Sequence, residues 1–319
     1  AIFSIKHFEL AIIDEASQIL EPNIVGLLAA HNGGEQVIDK FILIGDHKQL
    51  PAVVQQDNNE SAADSPLLEE IHLPNCANSL FERLILTEWA AGRTDFVGTL
   101  RKQGRMHPDI AAFPNTYFYE REQLECVPLA HQTEPNLPYN EPSEDKTDDF
   151  LKAHRMVFIP SKSCRQPYIS EKVNTEEARI VADLVRRLYR QMGTTFDAQK
   201  SIGIIVPYRN QIAMIRKELE QLRLPAIDKI SIDTVERYQG SQRDVIIYSF
   251  TIQNRFQLEF LTANTFVEDG KPIDRKLNVA ITRARKQLIL TGNEATLRQN
   301  FLFSKLIDYI EKKGGKTVI

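Results

Sequence analysis

Five short apolar runs, Phe8 to Ile13, Phe41 to Ile44, Ile202 to Val206, Val245 to Phe250 and Leu288 to Leu290, each end at polar residues. This pattern constrains the fold more than any other feature of the chain. A strand with one wet face alternates apolar and polar residues, whereas a run without alternation needs cover on both faces, as strands of a parallel sheet have. Helical patterns lie between the runs. Ile180, Val181, Leu184, Val185 and Leu188 form one apolar stripe, opened by Asn174 as N-cap with Glu177 three residues on and closing near Gly193. Ile212, Ile215, Leu219 and Leu222 form a second. Strands alternating with helices predict βαβ units in an open α/β fold.

At 319 residues the chain has material for about two domains. The break is placed near Trp89 to Phe96, where Ala90-Ala91-Gly92-Arg93-Thr94 separates one α/β region from the next. This gives domains over 1–95 and 96–319. The stretch 127–172, with Pro128, Pro135, Pro138, Pro142 and Pro160 and the acidic Glu141-Pro142-Ser143-Glu144-Asp145, reads as an irregular surface excursion.

Composition excludes several classes. Hydrophobic residues at 42% and charged residues at 26% are those of a folded globular protein, not a disordered one. Lys and Arg total 39 against 43 acids, a net charge of -4, so a polyanion would need a local cationic patch. There is no apolar run long enough for a membrane helix, and Ala1-Ile2-Phe3-Ser4-Ile5-Lys6 lacks the zones of a signal peptide. The chain reads as cytoplasmic with no membrane partner. Cys76, Cys126 and Cys164 are odd in number and widely spaced, which predicts buried free thiols rather than a disulfide framework or thiolate site. His47 has no second ligand at zinc spacing.

Two loops after apolar runs carry chemistry. In Leu10-Ala11-Ile12-Ile13-Asp14-Glu15-Ala16-Ser17-Gln18, adjacent carboxylates sit at the carboxyl end of a strand, where ligands meet an α/β sheet. In a nucleotide hydrolase the first holds Mg²⁺ and the second orients or deprotonates water; otherwise the pair merely opens a turn. Phe41-Ile42-Leu43-Ile44-Gly45-Asp46-His47-Lys48-Gln49-Leu50-Pro51 repeats the arrangement about one βαβ unit later. There Gln49 is either a phosphate or water ligand or a plain loop residue.

Together these two segments resemble motifs II and III of superfamily 1 helicases, and further motifs follow in order. Gln103-Gly104-Arg105-Met106-His107-Pro108 resembles motif IV, and Asn174-Thr175-Glu176-Glu177-Ala178 the family's Asn-x-x-Glu-Ala helix start. Thr234-Val235-Glu236-Arg237-Tyr238-Gln239-Gly240-Ser241-Gln242-Arg243-Asp244 resembles motif V, and Leu277-Asn278-Val279-Ala280-Ile281-Thr282-Arg283-Ala284-Arg285 motif VI. The nearest branch is the 5′-to-3′ one that includes the nonsense-mediated-decay helicase and the flap-processing helicase-nuclease.

The resemblance implies two RecA-like domains with ATP between them and a single strand of nucleic acid, DNA favoured over RNA, across their tops. It implies that Asp14 ligates Mg²⁺, Glu15 is the catalytic base, Gln49 senses the γ-phosphate, and Arg105 and Arg283 neutralise charge on the transferred phosphoryl group. Gln103, Gln239, Gly240, Gln242 and Arg285 would line the nucleotide site, and Thr234 and Pro51 would meet the strand. His107 reads as a helix-start packing residue, Tyr238 as core or base-stacking, and Arg285 as site support or an ion-pair partner. Gly104 stands where this branch often carries an aromatic, and Gln242 where many relatives carry a ribose-binding glutamate.

No G-x-x-x-x-G-K-[ST] loop occurs in the chain. The expectation is the carboxyl-terminal part of a helicase, beginning inside its first domain and followed by a complete second one. The alternative is a non-catalytic nucleic-acid or protein-binding module derived from a helicase. Without backbone amides to cradle the β- and γ-phosphates, the purified 319-residue chain should hydrolyse ATP negligibly, with or without single strands. Steady turnover in a phosphate-release assay contradicts this.

Overall fold

The computed structural model describes residues 6–57, 59–164 and 170–318. Most of the segment read for a leader, and 165–169 of the expected excursion, lie outside the described residues. The chain parts into two compact units, Ala1–Thr99 and Leu100–Ile319.

In the first unit, β1 (Ala11–Ile13), α1 (Glu21–Leu28), β2 (Phe41–Leu43) and α2 (Leu80–Ala90) follow in order. β1 and β2 pair in parallel, Ala11 opposite Phe41 and Ile13 opposite Leu43. Ser79 caps α2, accepting from the Glu82 N–H at 3.1 Å, and Arg83 in that helix clamps Glu21 at the start of α1 with two hydrogen bonds. The cover expected on both faces is only half present. Ile12 is 61% and Ile42 46% exposed, so the face of the two strands that carries them is open to solvent.

The second unit contains β3 (Lys102–Gln103), α3 (Pro108–Tyr117), β4 (Glu125–Cys126), α4 (Lys146–Ala153), β5 (Met156–Pro160), α5 (Thr175–Met192), β6 (Ile202–Val206), α6 (Arg209–Gln221) and β7 (Ser231–Thr234). After these come α7 (Val235–Tyr238), β8 (Arg243–Ser249), α8 (Arg255–Leu261), a hairpin of β9 (Thr265–Glu268) and β10 (Lys271–Asp274), α9 (Arg275–Ile281), β11 (Ala284–Gly292) and α10 (Phe301–Lys312). Five strands form one parallel sheet in the order β5-β11-β8-β6-β7. Ile204, Ile205, Ile246 and Ile247 are all fully buried; neighbours in a strand face opposite sides, so both faces are covered. Val181, Leu184, Val185 and Leu188 of α5 and Ile215 and Leu219 of α6 pack against Val157, Ile204, Val245 and Ile289. On α10, Phe303 meets Phe250, at the end of β8, edge to face at 5.3 Å. No helix among the described residues is long and apolar enough to cross a membrane.

The stripe reading of α5 holds. Asn174 accepts from the Glu176 and Glu177 N–H groups at 3.0 and 3.1 Å, and Gly193 ends the helix at φ 52°. The expected surface excursion over 127–172 does not hold. Its Met156-Val157-Phe158-Ile159 run is an outer strand of the sheet, paired in parallel with β11 and fully or almost fully buried, and Leu137, Tyr139 and Leu151 join the core. Prolines and acids around it hid a buried strand, because α10 and α5 supply cover that the local sequence does not announce.

The acids of that stretch serve α4 and α5. Asp145 caps α4 through the Thr147 and Asp148 N–H groups. The buried Asp148 accepts from Arg187 at 2.8 Å, from Arg190 and from the Glu144 N–H. Burial alone would raise the Asp148 carboxyl, but these donors outweigh it and hold it below the usual carboxylate range. A depressed carboxyl contributes stability that is present above its unfolded value of 3.8 and is lost as pH falls below it. Asp148→Asn should therefore cost about 2 kcal/mol at neutral pH. In urea unfolding the gap to the parent protein should close as the pH is taken below about 4.

Candidate nucleotide and strand sites

In the first unit the two carboxylate loops are joined through backbone. The Ala16 N–H donates to Ile44 O at 2.7 Å, and Ser17 Oγ accepts from the Asp46 N–H at 3.2 Å. A Cβ on Gly45 would sit 2.9 Å from the Ser17 nitrogen, so only glycine lets the loops approach this closely. Asp14, at the end of β1, takes the Glu15 N–H on one carboxylate oxygen at 2.9 Å. Glu15 itself adopts left-handed backbone, φ 53°, and accepts from Gln18 Nε2 at 2.6 Å. Gln49 donates through Nε2 to Asp46 Oδ2 at 2.9 Å, which ties it to the Asp46 turn. Pro51 follows in the same loop, half-buried. The ring of His47 meets Trp89 edge-on at 5.6 Å.

Mg²⁺ keeps most of its waters and takes one or two carboxylates together with phosphate oxygens. Asp14 and Glu15 are both exposed hard oxygen donors, so they fit such an ion. A cage built wholly of protein is not expected, and among the described residues no cluster of three or more His, Cys, Asp or Glu forms one.

In the second unit the residues named from motifs IV, V and VI converge. Gln103 shapes the loop after β3: its Oε1 accepts from the Arg105 and Met106 N–H groups at 2.9 and 2.8 Å. Arg105 Nε donates to Gln242 Oε1 at 3.1 Å and its guanidinium to Thr282 O at 3.3 Å. Arg283 is 1% exposed and donates to Val279 O, Ser241 O and Thr282 Oγ1 at 3.0, 3.4 and 3.0 Å. Thr282 thus stands between the two arginines. Arg285 pairs with Asp244 at 2.8 Å and lies 3.3 Å from His131 Nδ1, whose other ring nitrogen is 2.9 Å from Arg105 O. Gln239 and Gly240 form the turn leading into this cluster, Gly240 at φ 79° with open space around it.

His107 caps α3, accepting from the Asp109 N–H at 3.2 Å, and burial lowers its pKa. Tyr238 is a core residue: it is almost fully buried and donates to Ser231 O at 2.8 Å. The cysteines are free and only half-buried, so the expected burial is partial.

Thr234 lies elsewhere. It ends β7 at the carboxyl edge of the sheet, whereas Arg283 precedes β11 at the amino edge. At Thr234 a groove of about 470 Å³ is lined by Lys172, Tyr208, Arg209, Asn210, Arg237 and Phe260, among others. A second hollow of about 410 Å³ shares Arg209 and Arg237 and adds Arg216. Tyr208 stacks on Phe260 with centroids 5.3 Å apart and 18° between planes, and Lys276 Nζ sits 4.7 Å over the Phe260 ring. Burial would raise the Glu236 carboxyl in this groove, but backbone and Lys276 contacts lower it, so it is ion-paired with Lys276 at 3.3 Å. Lys172, Arg209, Arg216 and Arg237 make these adjoining hollows a local cationic patch on a net-acidic chain. Sequence reading passed over Tyr208, Arg209 and Asn210, although they follow the buried run Ile202 to Val206, and the ends of buried strands were where it sought ligands.

The parallel sheet clad in helices, with arginines gathered at one edge and a cationic groove at the other, is of the RecA-like class. A family model described as an AAA domain matches residues 76–295, and another of that description matches residues 1–57. The chain is 30% identical over 301 residues to DNA polymerase alpha-associated DNA helicase A of Saccharomyces cerevisiae. It is 32% identical over 327 residues to the DNA replication ATP-dependent helicase/nuclease DNA2 of Xenopus laevis, and 30% over 310 to the ATP-dependent helicase NAM7 of Saccharomyces cerevisiae. These alignments cover 92%, 96% and 96% of this chain, which spans 39%, 27% and 28% of the respective relatives. The chain belongs to the AAA-domain helicases of superfamily 1.

Gly45→Ala should force the two carboxylate loops apart at a cost of about 1–3 kcal/mol. The chain has a single tryptophan, Trp89, which reports on this unit alone. Its fluorescence should show a lower urea midpoint in the variant, and an unchanged midpoint would mean that the loops are not packed this closely.

Proposed function

We propose that this chain is the part of an ATP-driven helicase that grips a single strand of nucleic acid, DNA in preference to RNA, and supplies the arginines used in hydrolysis. The observation that carries the reading is the groove at Thr234. Lys172, Arg209 and Arg237 face it, their charges suit a phosphate backbone, and Thr234 holds the position that the resemblance assigns to the strand. The assignment to DNA is supported by relatives whose names include DNA. In the first unit, Pro51 is the residue that would contact nucleic acid.

In this reading Asp14 would hold Mg²⁺, Glu15 would act as the base toward the attacking water and Gln49 would sense the γ-phosphate. Mg²⁺ supplies charge neutralisation on the phosphate oxygens when it is bound. Arg105 would offer its guanidinium to the transferred phosphoryl, Gln103 holding it in place; Arg283, 1% exposed and bonded to Val279, Ser241 and Thr282, would do so only once those bonds open. Gln239, Gly240, Gln242 and Arg285 line the remainder of the nucleotide site. Gly104 offers no ring to a base; a Cβ there would meet only Leu129, at 3.2 Å. Arginines at the amino edge and the strand groove at the carboxyl edge let hydrolysis and grip respond to different contacts on one rigid sheet.

Arg209→Ala and Arg237→Ala should each weaken binding of a labelled oligo-dT strand, and each should flatten the plot of log affinity against log salt by about 0.7–1. Unchanged affinity and slope in both variants contradict the groove assignment. Oligo-rU bound as tightly as oligo-dT contradicts the DNA assignment alone.

A further inference from the structure

The Asn174-Thr175-Glu176-Glu177-Ala178 segment has no part in the reading above, yet it builds a closed polar knot beside the groove. Glu177 is fully buried where the first turn of α5 meets the carboxyl ends of β5 and β8. Four groups converge on its carboxylate. Oε2 accepts from Ser249 Oγ at 2.7 Å and the Thr251 N–H at 2.8 Å, and Oε1 from Ser161 Oγ at 3.1 Å and Asn174 Nδ2 at 3.2 Å. Thr251 is held at φ 57°, a region that β-branched residues rarely enter.

In an ordinary capping box Glu177 would reach back to the Asn174 N–H. Here Gln211 Oε1 accepts that N–H at 2.9 Å, while Gln211 Nε2 donates to Asn174 O at 2.9 Å and lies 3.4 Å from Ser249 Oγ. Gln211 is buried in the first turn of α6, directly after Tyr208, Arg209 and Asn210 of the groove. Lys172, also in the groove, stands two residues before Asn174. An anion buried this deeply is costly unless its hydrogen bonds are all made, and a helix cap alone does not require it.

The geometry points to Glu177 as a positioning residue for strand binding, which through Asn174 and Gln211 sets Lys172 and the Tyr208-Arg209-Asn210 turn in the groove. The inference rests on the strand-groove reading and goes beyond it, since Glu177 itself never meets the strand. The knot also gives a readout that simple packing lacks. Burial raises the Glu177 pKa, with a small addition from Glu176, and the Ser249, Thr251 and Ser161 donors offset this only in part, leaving it at about 7. Tyr248 on β8 also acts electrostatically with it, Cys164 on the segment after β5 lies 3.0 Å from Thr175 Oγ1 at the start of α5, and α6 presents the neutral Gln211. As pH falls through this value the carboxyl gains a proton and an acceptor becomes a donor. The Ser249 hydroxyl then has Thr251 Oγ1, 3.2 Å away, as its alternative partner.

The test is fluorescence anisotropy of a labelled single-stranded oligonucleotide with the 319-residue chain from pH 6 to pH 8.5 at fixed salt, with thermal midpoints alongside. The parent protein should lose at least about fivefold in affinity toward pH 6. Glu177→Gln should bind about that much more weakly at pH 8.5 and should lose this pH dependence. Gln211→Ala, which leaves the carboxylate in place but cuts its link to α6, should weaken binding at pH 8.5 likewise, and it decides the matter if Glu177→Gln fails to fold. Affinity and pH profile equal to the parent's in a folded variant overturn the inference, as does a weaker but parallel profile, which marks a merely structural role. Arg209→Ala and Arg237→Ala run in the same assay separate the two levels. If they weaken binding while the knot variants do not, only this inference falls; if they too bind like the parent, the groove reading falls and the inference with it.

Discussion

Burial of β8 on both faces is the constraint on which the second unit depends. It lies between β11 and β6, and the full burial of Ile246 and Ile247 requires helices on either side of the sheet. Parallel pairing then places every loop that follows a strand at one edge and every loop that precedes one at the other. That arrangement gathers Arg105, Gln242 and Arg283 at the amino edge and Thr234, Tyr208, Arg209 and the Glu177 knot at the carboxyl edge. The usual rule that ligands meet the carboxyl ends of strands describes only the second group.

The first unit depends instead on a close backbone approach. Gly45 lies against Ser17, and one hydroxyl bridges the two carboxylate loops. Asp14, Glu15 and Gln49 are held in relation by this contact and by β1–β2 pairing, not by a large core. The sheet here has two strands, and one face keeps Ile12 and Ile42 open to solvent. The same kind of apolar run is therefore sealed in one unit and half-exposed in the other.

Polar groups in the second unit divide by what surrounds them. Asp148 meets two arginines and is held as an anion, which ties α4 to α5. Glu177 meets no cation, only neutral donors, so burial wins and its proton affinity rises. The contrast explains why the first belongs with stability and the second with the placement of its neighbours.

The sequence by itself determined the class of fold, because unbroken apolar runs such as Ile202 to Val206, alternating with helical stripes, suit parallel strands clad in helices. It also determined the local caps, since Asn174 and Gly193 act within one turn of their own helix. The candidate site residues of motifs II to VI were legible as an ordered resemblance of residue types. What only the tertiary structure decided was which of them meet. Gln103 turned out to shape the loop carrying Arg105, Thr282 to stand between two arginines 178 residues apart in the chain, and Gln211 to take the bond that a capping box gives to Glu177. The strand β5 was hidden for the same reason: its neighbours in sequence are prolines and acids, and its cover comes from α5 and α10. Periodicity and capping are encoded within a few residues, whereas cover, convergence and the sealing of a carboxylate from water depend on elements that only the folded chain brings together.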